Sequence, residues 1–378
     1  MTALKLTRLG MLMEPEPGNP DEVEGVLNPA VVRAKNGSLY LFPRLVGRGN
    51  YSRIGLARVL FDDRGDPTGV ERLGVALSPE ADYELSETGG GCEDPRISFV
   101  EPLQSYVMTY SALSRHGPRV AIAVSNDLFN WRRLGLARFH PYGDISFDGI
   151  DEKDASIFPE LIPGPHGHPS VGLVHRPLFP ETRPEEKVHH SRHRPPDVHR
   201  ESIWISYCRL QPEGGSSSFG EFTDHHRLAA PSKPWEKLKI GAGAPPIRCR
   251  HGWLLVYHGV HAIEAADTVP EEPKTRPKLA YSAGAMVLSP TRPNQIVYRW
   301  PEPVLTPEDP LECHGVVDDV VFPTGIDRRD DLGKPDRFDI YYGMADDRIG
   351  VARLDMPERL PLGEIEAPSI ATMGAPAR

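Results

Sequence analysis

Apolar and polar positions alternate in short runs along this chain, at 38–45 (SLYLFPRL), 105–113 (SYVMTYSAL), 202–210 (SIWISYCRL), 252–260 (GWLLVYHGV) and 339–346 (DIYYGMAD). Period two places successive side chains on opposite faces, so each run predicts a β-strand, and no long segment carries the 3.6-residue period of a helix. A second kind of strand, rich in small residues, recurs as Ile54–Arg58, Ala121–Ser125, Ser202–Ser206, Ala283–Val287 and Ile349–Arg353. Five occurrences at a spacing of roughly 65 to 80 residues suggest five repeats, each a small sheet with loops. The 40 Pro and 35 Gly are spread between the apolar segments, as turn residues are. The expectation is an all-β chain. A radial set of five sheets, a five-bladed β-propeller, suits such repeats because each sheet buries both faces against neighbours, but the pattern also admits a pair of β-sandwiches or another barrel.

Length leaves the number of domains open, since all-β folds often run long as one unit. We expect one domain over residues 1–378, with a surface insertion at about 177–200 and an extension after about 361. The insertion, PLFPETRPEEKVHHSRHRPPDVHR, has no apolar period. Its His189, His190, His193 and His199 lack a spacing set by helix or turn geometry, so no metal site is expected. The net charge of -10 argues against a nucleic-acid surface, which needs a basic face, and any anionic ligand must meet a local group of cations. Cys92, Cys208, Cys249 and Cys313 show neither a disulfide density nor Cys-x-x-Cys spacing. The first twenty residues lack the apolar run of a signal peptide and nothing resembles a membrane span, so a cytoplasmic protein is expected.

The densest polar group is Gly91-Cys92-Glu93-Asp94-Pro95-Arg96, after Gly89-Gly90. Proline biases the preceding residue toward an extended backbone, which projects the Asp94 carboxylate from a strand or loop. Between Glu93 and Arg96 it can serve as a general acid, its pKa set by the balance of a like and an opposite charge. Downstream come Gly117-Pro118-Arg119, Lys153-Asp154-Ala155, Phe158-Pro159-Glu160 and His175-Arg176-Pro177. Cations and carboxylates thus recur at strand boundaries. Arg offers a planar fork to phosphate oxygens, and Lys and His add charge and donors.

These motifs, with Asn28-Pro29, Asn130-Trp131, Trp235 to Gly243, Tyr257-His258-Gly259, Val320 to Gly325 and Tyr341 to Asp346, resemble glycoside hydrolase family 130 across nearly the whole chain. The resemblance implies a five-bladed β-propeller that cleaves β-mannosides, with β-mannoside oligosaccharide and inorganic phosphate as substrates; ligand spacing implies no metal or organic cofactor. It implies that Asp94 is the catalytic acid, passing its proton through a sugar hydroxyl, and that Arg119, Lys153, His175 and Arg176 hold phosphate. Asn28, Arg44, Arg96, Asp154, Tyr257, His258, Asp318 and Asp346 follow as sugar contacts.

An inverting reaction then takes phosphate onto the anomeric carbon opposite the leaving sugar and gives α-mannose 1-phosphate. A hydrolase needs a carboxylate base to activate water, for which Glu160 is a candidate; a non-catalytic sugar binder would keep only the pocket and aromatic platforms such as Trp131, Trp204, Trp235 and Tyr257. Mannoside linkage, acceptor sugar and homo-oligomerisation stay open in the sequence.

Overall fold

A computed structural model of the chain describes residues 4–143, 145–180, 197–210, 219–263 and 277–361. After the N-terminal strand β1 (Lys5–Met13), sheet one runs β2 (Gly25–Arg33), β3 (Leu39–Gly47), β4 (Tyr51–Phe61) and β5 (Pro67–Leu77). Sheet two runs β6 (Gly90–Val100), β7 (Ser105–Ser114), β8 (Gly117–Ser125) and β9 (Arg132–Leu136). Sheet three begins with β10 (Asp151–Ile157), carries the short β11 (Ile162–Pro163), and continues through β12 (Pro169–Leu178), β13 (Ile203–Cys208) and β14 (Thr223–Ala229). Sheet four has β15 (Lys239–Ala242), the short β16 (Ile247–Cys249), β17 (Gly252–Ala262), β18 (Leu279–Leu288) and β19 (Ile296–Arg299). Sheet five has β20 (Val321–Arg328), β21 (Arg337–Met344) and β22 (Arg348–Asp355), and β1 pairs with β22 to complete it. Each unit is an antiparallel meander of four main strands, and a two-residue parallel pairing of β4 with β6 (Tyr51 with Gly90, Ser52 with Gly91) joins sheets one and two. Among the described residues the one α-helix is a single turn, Pro310–Cys313, and no helix is long and apolar enough to cross a membrane.

The second strands are buried along most of their length because both of their faces meet a neighbouring sheet. In β17, Trp253, Leu255 and Tyr257 enter the apolar cluster shared with sheet three, while the alternate residues Leu254 and Val256 enter the one shared with sheet five. The alternation here sorts apolar side chains between two cores rather than between core and water. Similar clusters lie between sheets one and two (Phe42, Met108), two and three (Ile122, Leu173) and five and one (Leu41, Tyr341).

Four of the five small-residue segments fall on the third strands β4, β8, β18 and β22, and the other, Ser202–Ser206, begins one residue before the third strand β13. Gly284 lies opposite Tyr257 and Gly350 opposite Tyr342 in the strand register. A Cβ on Gly284 would stand 2.5 Å from the Tyr257 ring and one on Gly350 2.7 Å from the Tyr342 ring, so the small residue makes room for the large one.

Those tyrosines belong to a repeated clasp. Tyr110, Tyr257 and Tyr342 donate to Glu84, Glu236 and Glu312 at 2.5, 2.9 and 2.8 Å. Each of these glutamates lies just before the first strand of its sheet and is also bonded by an arginine from the fourth strand, respectively Arg133, Arg299 and Arg8. Each also accepts from backbone N–H groups three and four residues earlier. First, second and fourth strands are thereby tied at one buried carboxylate.

The flanks of the expected insertion are structured: β12 runs through Pro177 and Leu178, and Phe179 and Val198 are buried against Trp204. Residues 181–196, with His189, His190 and His193, and the extension after Pro361 lie outside the described residues.

Candidate active site

Four of the five first strands carry a bulge, and in three of them the bulge holds an Asn or Asp at positive φ: Asn28 (+45°) in β2, Asp94 (+48°) in β6 and Asp154 (+55°) in β10. Asn and Asp tolerate the left-handed region better than other side-chain-bearing residues, and a bulge re-aims the side chain that carries it. Asp94 is therefore not extended as its following proline suggested. The left-handed turn of the bulge prevails and points its carboxylate at the neighbouring first strand, where Asn28 Nδ2 donates to Asp94 Oδ1 at 2.9 Å.

Arg44, from β3, spans both acidic residues of the motif: Nη1 donates to Asp94 Oδ1 at 3.3 Å and Nη2 to Glu93 Oε1 at 2.7 Å, while Nε is fixed on Ser52 Oγ at 2.9 Å. Lys153 Nζ approaches Glu93 Oε2 at 3.9 Å with 31% of its side chain still exposed. Arg96 turns beneath, donating to Gly243 O (2.7 Å) and Asp94 O (2.7 Å), and its Nη2 is buried without a hydrogen-bond partner. Burial pushes the Asp94 carboxyl up, but Arg44, Arg96, the Asn28 bond and Lys153 outweigh it and hold it below the usual carboxylate range. Asp346, at the β21–β22 turn, behaves oppositely: burial pushes it up to about 6, with Asp94 and Glu93 adding to the rise against Arg44 and Lys153.

Asp154 anchors the next part. Arg176 Nε donates to Asp154 Oδ2 at 2.6 Å, a contact made because Lys153 and Arg176 are register partners on β10 and β12. Arg176 also pairs with Glu201. His258 Nε2 is 3.7 Å from Asp154 Oδ2; burial keeps this ring neutral, its pKa down at about 3 despite the carboxylate. Gly241 closes this corner, since a Cβ there would stand 2.1 Å from Asp154 Oδ2 and 2.4 Å from His258 Cε1. We expect Gly241→Ala to displace the Asp154–Arg176 pair and lower kcat/KM about 10²-fold while the protein stays folded, measured by steady-state kinetics alongside circular dichroism. Unchanged kinetics would show that this corner does not touch the reaction.

Asn28, Arg44, Glu93, Asp94, Arg96, Lys153, Asp154, Arg176, His258 and Asp346 thus form one connected group. Arg119 makes no contact with this group: it is bonded to Asp151 Oδ1 (2.6 Å) and Gly149 O (2.9 Å) and faces a cleft of about 970 Å³ with Tyr83 and His116.

Three residues expected in the site lie elsewhere. His175 is fully buried with both ring nitrogens bonded, Nδ1 to Glu152 and Nε2 to Ser206, each at 2.7 Å, so no ring nitrogen is left for an anion. Tyr257 is a core residue whose hydroxyl serves the Glu236 clasp, not a sugar. Asp318 is 46% exposed and turns toward Lys278 and His314. Among the aromatic platforms, Trp204 and Trp235 are buried and Trp131 is half-buried with Nε1 on Leu128 O. Glu160 is paired with Arg248 at 3.0 Å. Glu93, read from the sequence only as a neighbouring charge, proves to be the carboxylate that both Arg44 and Lys153 approach.

Over residues 7–362 the chain matches the profile of glycoside hydrolase family 130, described as beta-1,4-mannooligosaccharide phosphorylase. The chain belongs to glycoside hydrolase family 130. It is 29% identical to a 1,2-beta-oligomannan phosphorylase of Thermoanaerobacter sp. (strain X514) over 364 residues, 94% of this chain and 99% of that one. A beta-1,4-mannooligosaccharide phosphorylase of Ruminococcus albus is 36% identical over 129 residues, 34% of each chain. In structure, the family 130 chain is similar to the beta-1,2-mannobiose phosphorylase of Listeria innocua in complex with beta-1,2-mannobiose, with a TM-score of 0.66, 22% identity, and 93% of this chain and 97% of that one covered.

Proposed function

We propose that this family 130 enzyme is an inverting β-mannoside phosphorylase that releases α-mannose 1-phosphate. The observation that carries the reading is the Asp94 carboxyl, aimed by a bulge into a group of cations from four strands, Arg44, Arg96, Lys153 and Arg176, in a chain aligned end to end with an oligomannan phosphorylase. Asp94 delivers a proton toward the glycosidic oxygen, by way of a sugar hydroxyl. Phosphate enters on the side of Lys153, with Arg176 behind it and Arg119 at the margin, and attacks the anomeric carbon from the opposite face. Asn28, Arg44, Arg96 and Asp346 hold the mannosyl ring, and Asp154 and His258 fix Arg176 for the phosphate.

The proton balance closes. The leaving saccharide gains one proton from Asp94, and phosphate, entering as the monohydrogen dianion and leaving as an ester dianion, gives up one that restores it. The resting field of Arg44 and Arg96 favours the ionised acid, and a bound dianion near Lys153 weakens that field and raises the acid's pKa as the substrate pair assembles. Phosphate is already a nucleophile and needs positioning and charge compensation rather than a base. Glu160, the candidate base of a hydrolytic route, is instead paired with Arg248 on an exposed part of the fold.

The cyclic contacts of the sheets support a five-bladed β-propeller as a single catalytic domain. β2 packs against β20 and β6, β10 against β6 and β15, and Gly243 closes on the Pro323 carbonyl. The site then lies where the first strands converge, and the reaction needs no metal or organic cofactor. A cytoplasmic location fits a product whose charge retains it inside a membrane.

The test is phosphate dependence, begun with β-1,2-linked oligomannosides because the relative matched along its full length acts on a β-1,2 oligomannan. Cleavage should require inorganic phosphate and give α-mannose 1-phosphate. Equal cleavage without phosphate, with free mannose as product, would make the enzyme a hydrolase.

A further inference from the structure

A chain of four hydrogen bonds crosses the whole of sheet three from its first strand to its fourth, and the reading above leaves it without a role. Glu152 Oε1 meets His175 Nδ1, His175 Nε2 meets Ser206 Oγ, Ser206 Oγ meets His225 Nδ1, and His225 Nε2 meets the His140 carbonyl, each at 2.7 Å. Glu152, His175 and Ser206 are buried, and the His175 ring lies stacked on Phe139 with centroids 4.9 Å apart.

The tautomers follow from counting protons. A backbone carbonyl only accepts, so His225 must carry its proton on Nε2. Burial, with His175 adding to it, lowers the His225 pKa to about 4, so the ring is neutral near pH 7 and its Nδ1 is an acceptor. Ser206 must then donate to His225, which uses its only proton, and His175 Nε2 must donate to Ser206. The bond between His175 Nδ1 and Glu152 still needs a proton of its own. Four bonds in series require four protons, and two neutral imidazoles and one hydroxyl supply three.

We infer that the Glu152–His175 pair holds this fourth proton, placed on the ring because an imidazole is ordinarily a stronger base than a carboxylate, and that His175 is a positioning residue for the anion site rather than a ligand of the anion. Glu152 immediately precedes Lys153, and His175 immediately precedes Arg176; Lys153 and Arg176 are themselves register partners. The pair therefore clamps β10 to β12 beneath the two cations. Without the extra proton, the bare Nδ1 lone pair would face a carboxylate oxygen, and the clamp would become a repulsion. The groups that face the relay are Glu152 on β10, Ser206 on β13, His225 on β14 with Asp224 and His140 beside it, and the rings of Phe139 and Phe147.

Nitrogen-15 NMR of the histidine-labelled wild-type enzyme tests the count without any variant. His175 should show both ring nitrogens protonated at pH 7; a single ring proton there would overturn the inference. Ser206→Ala removes the acceptor that forces the second proton, so His175 should become singly protonated, keeping its proton on Nδ1 toward Glu152 and losing the positive charge that stands next to Lys153 and Arg176. The KM for phosphate should then rise at least ~3-fold with kcat less affected, and the basic limb of the kcat/KM profile should move to lower pH. Ser206→Thr, which keeps the hydroxyl, should restore both. An unchanged phosphate KM and pH profile in Ser206→Ala, with the protein folded, would refute the positioning role. The kinetic arm rests on the phosphorylase reading and the NMR arm does not, so failure of one is distinguishable from failure of the other.

Discussion

Asp94→Asn should leave a folded protein that binds mannoside and loses at least ~10³-fold in phosphorolysis, near the upper part of the range for a lost general acid. The amide is isosteric, and its oxygen can still accept from Asn28 Nδ2 and from Arg44, the two groups that hold the carboxylate in place. What it cannot do is give a proton to the leaving oxygen. The charge change is absorbed locally, because Arg44 keeps its shorter bond to Glu93 at 2.7 Å. The measurement is the initial rate of α-mannose 1-phosphate release at saturating phosphate. Near-normal turnover would move the acid to another carboxyl, and Asp346, with its pKa up at about 6 in the same cluster, is the group to which it would move. In the wild type, rate should fall as pH rises through the pKa that Asp94 acquires in the ternary complex, and that basic limb should be absent from any residual activity of the variant.

The sequence carried the strand repeat and most of this cluster for different reasons. Small-residue strands were legible because Gly284 and Gly350 have no room for a side chain beneath Tyr257 and Tyr342, so the spacing of the sheets is written into composition. Asn28, Asp94 and Asp154 were legible because bulges with a left-handed residue select Asn and Asp, and such residues stand out in a β-strand. His175 and Tyr257 were misread for a common reason. Each sits in a short motif beside a residue that faces Asp154, namely Arg176 or His258, but in a strand the next residue points to the opposite face. Motif adjacency therefore brings in, with each residue that faces the cluster, one that faces away from it. The glutamate clasps went unread because their three parts come from segments far apart in sequence: Tyr257 lies 21 residues from Glu236, and Arg299 lies 63. Only the short spacing between each glutamate and the backbone N–H groups it caps is local.

Glu236→Ala should cost about 3–5 kcal/mol of unfolding free energy, the range for removing one partner of a buried ion pair. The carboxylate is completely buried and accepts from Arg299 Nη2 at 2.7 Å, Tyr257 Oη at 2.9 Å and the backbone N–H groups of Ser232 and Lys233. Its loss leaves a buried guanidinium facing a void and uncaps a turn. Total stabilities run about 5–15 kcal/mol, so the variant should unfold at a much lower denaturant concentration, read as a shift in midpoint at unchanged slope. Tyr257→Phe, which removes one neutral donor to Glu236 and the acceptor of Arg299 Nε, should cost less, about 1–3 kcal/mol. The double variant Glu236→Met with Arg299→Met should cost less than the sum of its single changes, because it leaves neither charge unpaired. Additive losses would mean that the glutamate and arginine act independently and that the clasp is not a unit. The equivalent Glu84 and Glu312 supply a check by pH. Burial raises both carboxyls, but Arg133 and Tyr110 on one, and Arg8 and Tyr342 on the other, outweigh it and hold them below the usual value. A carboxyl depressed in the folded state stabilises above its unfolded pKa, and that contribution is lost as pH falls through the folded one. Wild-type stability should therefore decline on acidification below the ordinary carboxylate range, and Glu84→Gln, which removes one such group, should flatten that decline.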